Sequence, residues 1–398
     1  MKTIYLDNNA TTAVAPEVLE TMLPYFRDLY GNPSSMHTFG GQIHRRIEDA
    51  RTQVAALIGA EAEEIVFTSC GSESDNTALM SAVESFPHKR HVITTRVEHP
   101  AILNFARYLS RKGLRVTYLP VDGYGRLDRD AFLRTLDDDT AIVSIMYANN
   151  ETGVIFPIAE LGEVLRERGI LFHTDAVQAG GKLPLDVGKL PVDMLSLSGH
   201  KIHAPKGVGA LYIRKGTRFH PYLIGGHQEH GRRAGTENVA PIIGMGKACE
   251  LAREHLDDEA KRLKVLRDKL EQALLRTCPD ARVNGDTHNR LPNTSNISFE
   301  YVEGEAILLR LDEYGICASS GSACSSGSLE PSHVLRAMGI PFTAVHGSIR
   351  FSLSRYTTEA EIDRVAEILP GIIGELRELS PYGRERFLNR AEAQCRTS

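Results

Sequence analysis

The stretch LFHTDAVQ, residues 171–178, is the clearest single indicator of the fold, because a short apolar run ends at a carboxylate. Leu171–Thr174 shows no polar alternation, which is typical of a strand buried on both faces. Amphipathic helical patterns, such as Ala101–Arg111 and Ile158–Arg168, separate this run from others like it. The other predicted strands are Ile65–Thr68, Val92–Thr95, Val116–Leu119, Ala141–Met146, Met194–Leu197 and Ala210–Ile213. This alternation predicts an α/β fold with a mainly parallel seven-stranded sheet.

Length and composition set the broad class of the chain. With 398 residues, of which 42% are hydrophobic, it is long enough for two domains that share an interface. The formal net charge is −5 and no basic block occurs, so we expect no nucleic-acid partner. No apolar run suits a signal peptide or a membrane span, so we expect a cytoplasmic protein without membrane contact. The six cysteines form no paired motif, which predicts free thiols and no metal site.

A change of pattern after Pro279 predicts a second, smaller α+β domain. Residues 237–276, before the change, predict one or two long helices. The elements expected after it are strands at Asn296–Phe299, Ile316–Ser320 and Ile349–Leu353 and helices at Glu305–Glu313 and Glu359–Leu369. We therefore expect an N-terminal segment (1–15) that packs with the small domain, a large domain (16–260) and a small C-terminal domain (261–398).

Polar residues follow several predicted strands, where parallel sheets bind their ligands. Lys201 ends the motif SLSGHK (196–201) and can form a Schiff base if it is partly desolvated, although a lone lysine is more often a surface residue. Asp175 follows a buried strand, where an unpaired carboxylate is costly. A protonated ring nitrogen would suit it as a partner, and so would a helix N-terminus. Gln178, three residues on, is placed to donate to a ring oxygen.

Three further motifs follow strands upstream. FTSCGSESDN (67–76) predicts a strand, a turn and a helix whose first amides, with Ser72, cradle a phosphate, or else an ordinary capped turn. His99 is a candidate for stacking on a ring and for moving protons, and a structural histidine is the alternative. Asn150 in YANNE (147–151) either contacts a ligand or forms a turn.

Taken together, these motifs resemble fold-type I pyridoxal-phosphate enzymes, and more narrowly the class-V aminotransferase-like cysteine desulfurases of the NifS/IscS type. The resemblance covers essentially the whole chain. The motifs that carry it are IYLDNNATT (4–12), GNPSS (31–35), FTSCGSESDN (67–76), VEHPA (97–101), YANNETG (147–153), HTDAVQ (173–178), SGHKIHAPKG (198–207), RRAGTEN (232–238), SSGSACSSG (319–327) and SIRFSLSRYTTEAEID (348–363).

The resemblance implies roles for individual residues within these motifs. Lys201 would be the Schiff-base lysine, His99 would stack on the ring of pyridoxal 5′-phosphate, and Asp175 would pair with its nitrogen. Further residues would complete the cofactor and substrate sites. These are Gln178 at the phenolic oxygen, Gly71, Ser72, Ser198 and His200 at the phosphate, Thr236 at the phosphate of a dimer partner, and Arg350, Asn150 and Asn32 at the substrate carboxylate.

Cys324 lies among serines and glycines in SSGSACSSGS (319–328), a composition that predicts an exposed, flexible segment. A linker with an incidental cysteine is the alternative interpretation. By resemblance, the Cys324 thiolate attacks the sulfur of L-cysteine, alanine leaves, and the persulfide passes to an acceptor such as an iron–sulfur scaffold. The polar tail, residues 381–398, differs from that of the IscS type, which favours the NifS type and a link to nitrogenase.

Other functions fit parts of the same pattern. An aminotransferase or a kynureninase-like hydrolase would not need Cys324, whereas a selenocysteine lyase would need no different residues. A non-enzymatic sulfur carrier or iron–sulfur scaffold would instead use Cys317 and Cys324. The sequence leaves open the role of Cys70, which stands in the predicted phosphate turn.

Overall fold

The computed structural model describes residues 3–320 and 331–380 of the chain. The strands are β1 (Ile4–Tyr5), β2 (Ile65–Thr68), β3 (His91–Thr95), β4 (Arg115–Leu119), β5 (Thr140–Ser144), β6 (Leu171–Asp175), β7 (Met194–Ser198), β8 (Gly209–Ile213), β9 (Ala281–Val283), β10 (Thr294–Phe299), β11 (Ile316–Cys317) and β12 (Ser348–Ser352). The α-helices are α1 (Pro16–Arg27), α2 (Thr38–Ile58), α3 (Gly71–Ser85), α4 (Pro100–Arg111), α5 (Arg129–Thr135), α6 (Ile158–Glu167), α7 (Val239–Thr277), α8 (Gly304–Glu313), α9 (His333–Ala337), α10 (Phe342–Val345) and α11 (Glu359–Leu379).

A seven-stranded sheet forms the centre of the larger part, in the order β2-β8-β7-β6-β5-β3-β4. The strands from β7 to β4 run parallel, while β8 is antiparallel to both β2 and β7. The expectation of a mainly parallel α/β sheet is thereby confirmed. Each of the seven predicted strands lies within two residues of an observed one at either end.

Hydrophobic cores cover both faces of this sheet, which explains why its strands lack polar alternation. Successive residues of one strand point to opposite faces. Val143 and Ile93 accordingly belong to the larger core, whereas Ile142 and Val92, one position earlier, belong to a second core on the other face.

A third core lies in the smaller part of the structure, around the antiparallel sheet β12-β10-β9. The second half of α7 packs on this core with α8 and α11 through Leu270, Leu311 and Leu369. The N-terminal strand β1 pairs with β11, and Leu6 is buried in the same core. The helix α7 is continuous through residue 260, where we expected a domain boundary, so the proposed division at 260/261 would cross one helix.

Two elements of the smaller part differ from their predicted bounds. The strand expected at Ile316–Ser320 ends at Cys317, because Ser319 forms an isolated bridge to Arg350 instead of continuing a ladder. The helix expected to stop at Leu369 continues through Pro370 to Leu379. Burial of Ile372 and Ile373 in the core stabilises the helix beyond the proline.

A buried ion pair fixes the loop that follows β8. The guanidinium of Arg51 donates to both carboxylate oxygens of Glu229, at 2.6 and 2.9 Å, and Glu229 also accepts the Phe67 N–H at 2.8 Å. Glu229 has a φ of 48°, which is unusual for a non-glycine residue. Removing either partner would leave a buried charge unpaired, so this pair holds the loop firmly against β2.

Candidate active site

A cavity of about 400 Å³ opens at the carboxyl ends of the parallel strands. It brings together most of the side chains that the sequence singled out. The predicted residues that line it are Gly71, Ser72, His99, Asn150, Asp175, Gln178, Ser198, His200, Lys201 and Arg350. This is the position at which parallel sheets bind their ligands, because the loops that follow the strands converge there.

Asp175, the last residue of β6, presents a buried carboxylate to the cavity. Its Oδ1 accepts the Val177 N–H at 2.9 Å. Burial raises the pKa of Asp175 to about 6, even though this hydrogen bond and the Lys201 charge both lower it. A cationic group in the cavity would offset this cost of burial and hold Asp175 in its ionised form.

A second carboxylate, Asp75 on α3, lies beside Asp175. Burial, together with the nearby Asp175 charge, raises the pKa of Asp75 well above its usual range. Its Oδ1 has no hydrogen-bond partner among the described residues and lies 3.7 Å from His173 Nε2. Two adjacent buried carboxylates do not both ionise, so Asp75 is the one that keeps its proton.

Lys201 lies in a short 3₁₀ turn directly after β7. Its ammonium donates to the carbonyl oxygens of Asn9 at 2.6 Å and Ala10 at 2.7 Å. The N-terminal segment therefore forms one wall of the cavity and positions the lysine. Sequence reasoning did not identify Asn9 or Ala10, which lie far from Lys201 along the chain.

His99 caps the N-terminus of α4, because its Nδ1 accepts the Ala101 N–H at 3.1 Å. Burial lowers the pKa of His99 to about 4, and the charges of Lys201 and His333 contribute. The ring is therefore neutral at physiological pH. His99 is therefore a structural cap that also lines the cavity, and its expected roles in stacking on a ring and moving protons stay predictions.

The first turn of α3 lines part of the cavity. Gly71 begins the helix, and a Cβ added there would lie only 2.8 Å from Val177 Cγ2 and 3.4 Å from Ser198 Cβ. Gly71, Ser72 and Ser198 thereby line the same space. Helix N-termini of this kind bind phosphate groups. Cys70 also lines the cavity here.

Arg350, on β12, brings a buried guanidinium to the far side of the cavity. Its Nη2 donates to Asp7 Oδ1 at 2.7 Å and its Nη1 to the carbonyl oxygen of Asn150 at 3.1 Å. Arg350 is only 2% exposed. A fixed guanidinium fork of this kind is suited to a carboxylate ligand.

Three predicted residues are not part of this cavity as described. Asn32 is exposed and its Oδ1 accepts the Ser34 N–H, and Thr236 lines a separate crevice with Thr68 and Glu229. Cys324 lies outside the described residues. The roles expected for these three stay predictions.

Two functional candidates escaped sequence reasoning for different reasons. Asp75 is three positions after Ser72 on one helix, so helical periodicity could have placed both at the same cavity. Asp7 contacts Arg350 because it forms a bridge with Ser352 of β12, and no local sequence pattern predicts that contact.

Among the described residues, no helix combines the length and the apolar character needed to cross a bilayer. The same part of the chain holds no group of three or more side chains arranged to bind a metal ion.

Comparison with known proteins places this geometry in a family. The model of the class-V aminotransferases matches residues 4–365. The chain is 63% identical to a cysteine desulfurase of Trichormus azollae over 96% of each chain. It is 58% identical to the cysteine desulfurase NifS of Azotobacter vinelandii over 96% of this chain and 95% of that one. A solved NifS-like protein superposes with a TM-score of 0.89 at 41% identity, covering 94% of this chain and all of the other.

Proposed function

The chain belongs to the class-V aminotransferase family and, within it, to the cysteine desulfurases, and on that premise we propose that it moves sulfur from L-cysteine to Cys324 with pyridoxal 5′-phosphate. The observation that carries this proposal is the placement of Lys201 and Asp175 at the ends of adjacent parallel strands, facing one cavity. A half-buried lysine and a buried carboxylate around one space are costly unless a ligand uses both.

The residues around the cavity fit this cofactor. The start of α3, with Ser72, Ser198 and His200, would hold its phosphate, and Asp175 would hold its ring nitrogen. Lys201 would bind its aldehyde carbon, and Gln178 would donate to its phenolic oxygen. When bound, pyridoxal 5′-phosphate supplies the electron sink that reactions at the α-carbon of an amino acid need.

The chain's own residues would then orient the substrate and move its protons. Arg350 would hold the substrate carboxylate, with Asn150 and Asn32 as further contacts. Lys201 would also act as the base at the substrate α-carbon. His99 would carry a proton at Nε2, because Nδ1 already accepts the Ala101 N–H.

Cys324 would take the sulfur in a balanced step. Its thiolate attacks the sulfur of cysteine, an S–S bond forms, and the Cβ–S bond of the substrate breaks with its electron pair passing to carbon. Protonation of that carbon gives alanine, so cysteine and a thiol become alanine and a persulfide, and no external oxidant or reductant is needed.

We propose an iron–sulfur scaffold protein as the acceptor of this sulfur, with nitrogenase cluster assembly as the favoured use. Similarity to a cysteine desulfurase named NifS supports that choice. The thiols of Cys70, Cys249, Cys278 and Cys317 are free, which suits the reducing cytoplasm that we propose as its location.

A product assay tests the proposed function. The purified protein, supplied with pyridoxal 5′-phosphate, L-cysteine and a reducing thiol, is expected to release alanine and sulfide in equal amounts. L-Serine is the matched control, because it differs from L-cysteine only in carrying oxygen in place of sulfur. Pyruvate formation from either substrate, or alanine without sulfide, would contradict a desulfurase.

We also propose that the protein is a two-fold symmetric homodimer in which Thr236 reaches the phosphate of the partner subunit's cofactor. Thr236 follows the loop that Glu229 fixes against β2, and it lines a crevice separate from its own cavity. Both features suit a residue that acts across an interface.

Subunit mixing provides the test of this arrangement. Thr236→Ala is expected to weaken cofactor binding about fivefold through loss of one hydrogen bond. A heterodimer of one Thr236→Ala subunit and one Lys201→Ala subunit should contain one fully wild-type site. Both substitutions would then lie in the second site, that of the Lys201→Ala subunit. A fully active monomer in sedimentation, or a mixed dimer without restored activity, would refute the arrangement.

A further inference from the structure

Lys182 lies next to the cavity but has no place in the reaction described above. Its Nζ donates to Gln178 Oε1 at 2.8 Å, and the other end of that amide, Nε2, donates to the carbonyl oxygen of Asn9 at 3.0 Å. Gln178 is 5% exposed and lines the cavity. The two ends of its amide therefore have different, fixed surroundings.

The chemistry of an ammonium group decides which way the amide points. An ammonium carries three donors and no acceptor, so only the carbonyl end of Gln178 can face Lys182. The NH₂ end must then turn towards Asn9 and the cavity. If Lys182 were replaced by an apolar residue, the carbonyl end of Gln178 would lose its donor, and only the Asn9 carbonyl oxygen would still favour this orientation.

The surroundings of Lys182 are polar and charged. Lys182 lines a small crevice behind Lys201, together with Glu259 and Arg355. The pKa of Lys182 is lowered to about 7, chiefly by burial and also by the charges of Lys201 and Arg350, while Glu259 acts in the opposite direction. The neutral amine keeps N–H donors for Gln178 Oε1 but gains an acceptor, so the orientation of the amide is strictly fixed only while Lys182 is protonated.

We propose that Lys182 is a positioning residue that locks the Gln178 amide with its NH₂ group towards the cavity, so that the bound cofactor meets a donor there. This proposal rests on the proposed function, since it needs a ligand oxygen opposite Gln178. Lys182 does not line the cavity and would act through the glutamine.

The expected effect is spectroscopic. A donor at the phenolic oxygen and a nearby cation both disfavour protonation of the nitrogen atom that would join Lys201 to the cofactor. Lys182→Met should therefore raise the pKa of that nitrogen by about one unit. This pKa is measured from cofactor absorbance as a function of pH. Cofactor affinity should fall about fivefold. Lys189→Met, at an exposed lysine that pairs with Asp186, is the control and should change neither value.

A double-mutant cycle separates action through Gln178 from a direct effect of charge. If Lys182 acts through the amide, Lys182→Met should shift the pKa by less than half as much in a Gln178→Met background. Lys182→Arg, which also has only donors, should restore most of the wild-type value.

Two results would overturn the proposal: an unchanged pKa in Lys182→Met, or an equal shift in both backgrounds. If the wild-type protein itself shows no cofactor absorbance, the proposed function fails instead. A folding defect is recognised separately, because Lys182→Arg would then fail to bind the cofactor as well.

Discussion

Lys201→Ala is expected to abolish desulfurase activity, with a loss of about 10³-fold or more, because it removes both the covalent anchor of the cofactor and the base at the α-carbon. Borohydride treatment of the wild-type protein should leave cofactor mass on the peptide that contains Lys201. The variant should carry none. Mass spectrometry of the digested protein makes the measurement.

Lys206→Ala is the matched control for this experiment. Lys206 lies five positions later, is exposed and does not line the cavity. It should retain full activity and full labelling at Lys201. Borohydride-stable cofactor on another lysine of Lys201→Ala would show that the anchor has been assigned to the wrong residue.

Cys324→Ala is expected to separate cofactor chemistry from sulfur transfer. The cavity residues that would hold the cofactor are untouched, so cofactor absorbance and its change on adding cysteine should persist. Release of alanine and sulfide should fall about 10³-fold or more, since the attacking thiolate is gone. The wild-type protein, incubated with cysteine without a reductant, should gain about 32 Da on the Cys324 peptide.

Cys317→Ala controls for general effects of losing a thiol. Cys317 is half-buried on β11, and its pKa is raised by burial and by the charges of Asp312 and Asp7, so it is a poor nucleophile. Cys317→Ala should therefore retain activity. A sulfur carrier that uses both cysteines would instead lose function in either variant. Full cysteine turnover by Cys324→Ala would rule out the proposed route. Turnover retained only with selenocysteine would point to a selenocysteine lyase.

The sheet and the residues at its strand ends were predictable, because their signals are local. The run Ile65–Thr68 has three apolar residues followed by a threonine and is bounded by polar residues, and both of its ends were predicted correctly. Asp175 and Lys201 each lie at or just after the end of such a run. Parallel topology then brings strand ends together without further information.

Contacts between distant segments were not predictable in the same way. Asp7 reaches Arg350 and Asn9 reaches Lys201 through pairing of β1 with β11 and of Asp7 with Ser352, and a pattern within one window contains nothing about such partners. The helix end predicted before Pro370 was wrong for a different reason. The local signal of the proline predicts a helix end, but packing of Ile372 and Ile373 outweighs that signal.

The wall that Asn9 contributes to the cavity has a consequence for the growing chain on the ribosome. Asn9 is held by Ser352, 343 residues later, so Asn9 cannot make this contact until that distant segment has been synthesised. At a synthesis rate of about 5–20 residues per second, that delay is roughly 17–70 s. The sheet and Lys201 can form within this interval, yet the cavity lacks one wall. A nascent chain would therefore hold any small ligand only weakly until Ser352 has been synthesised.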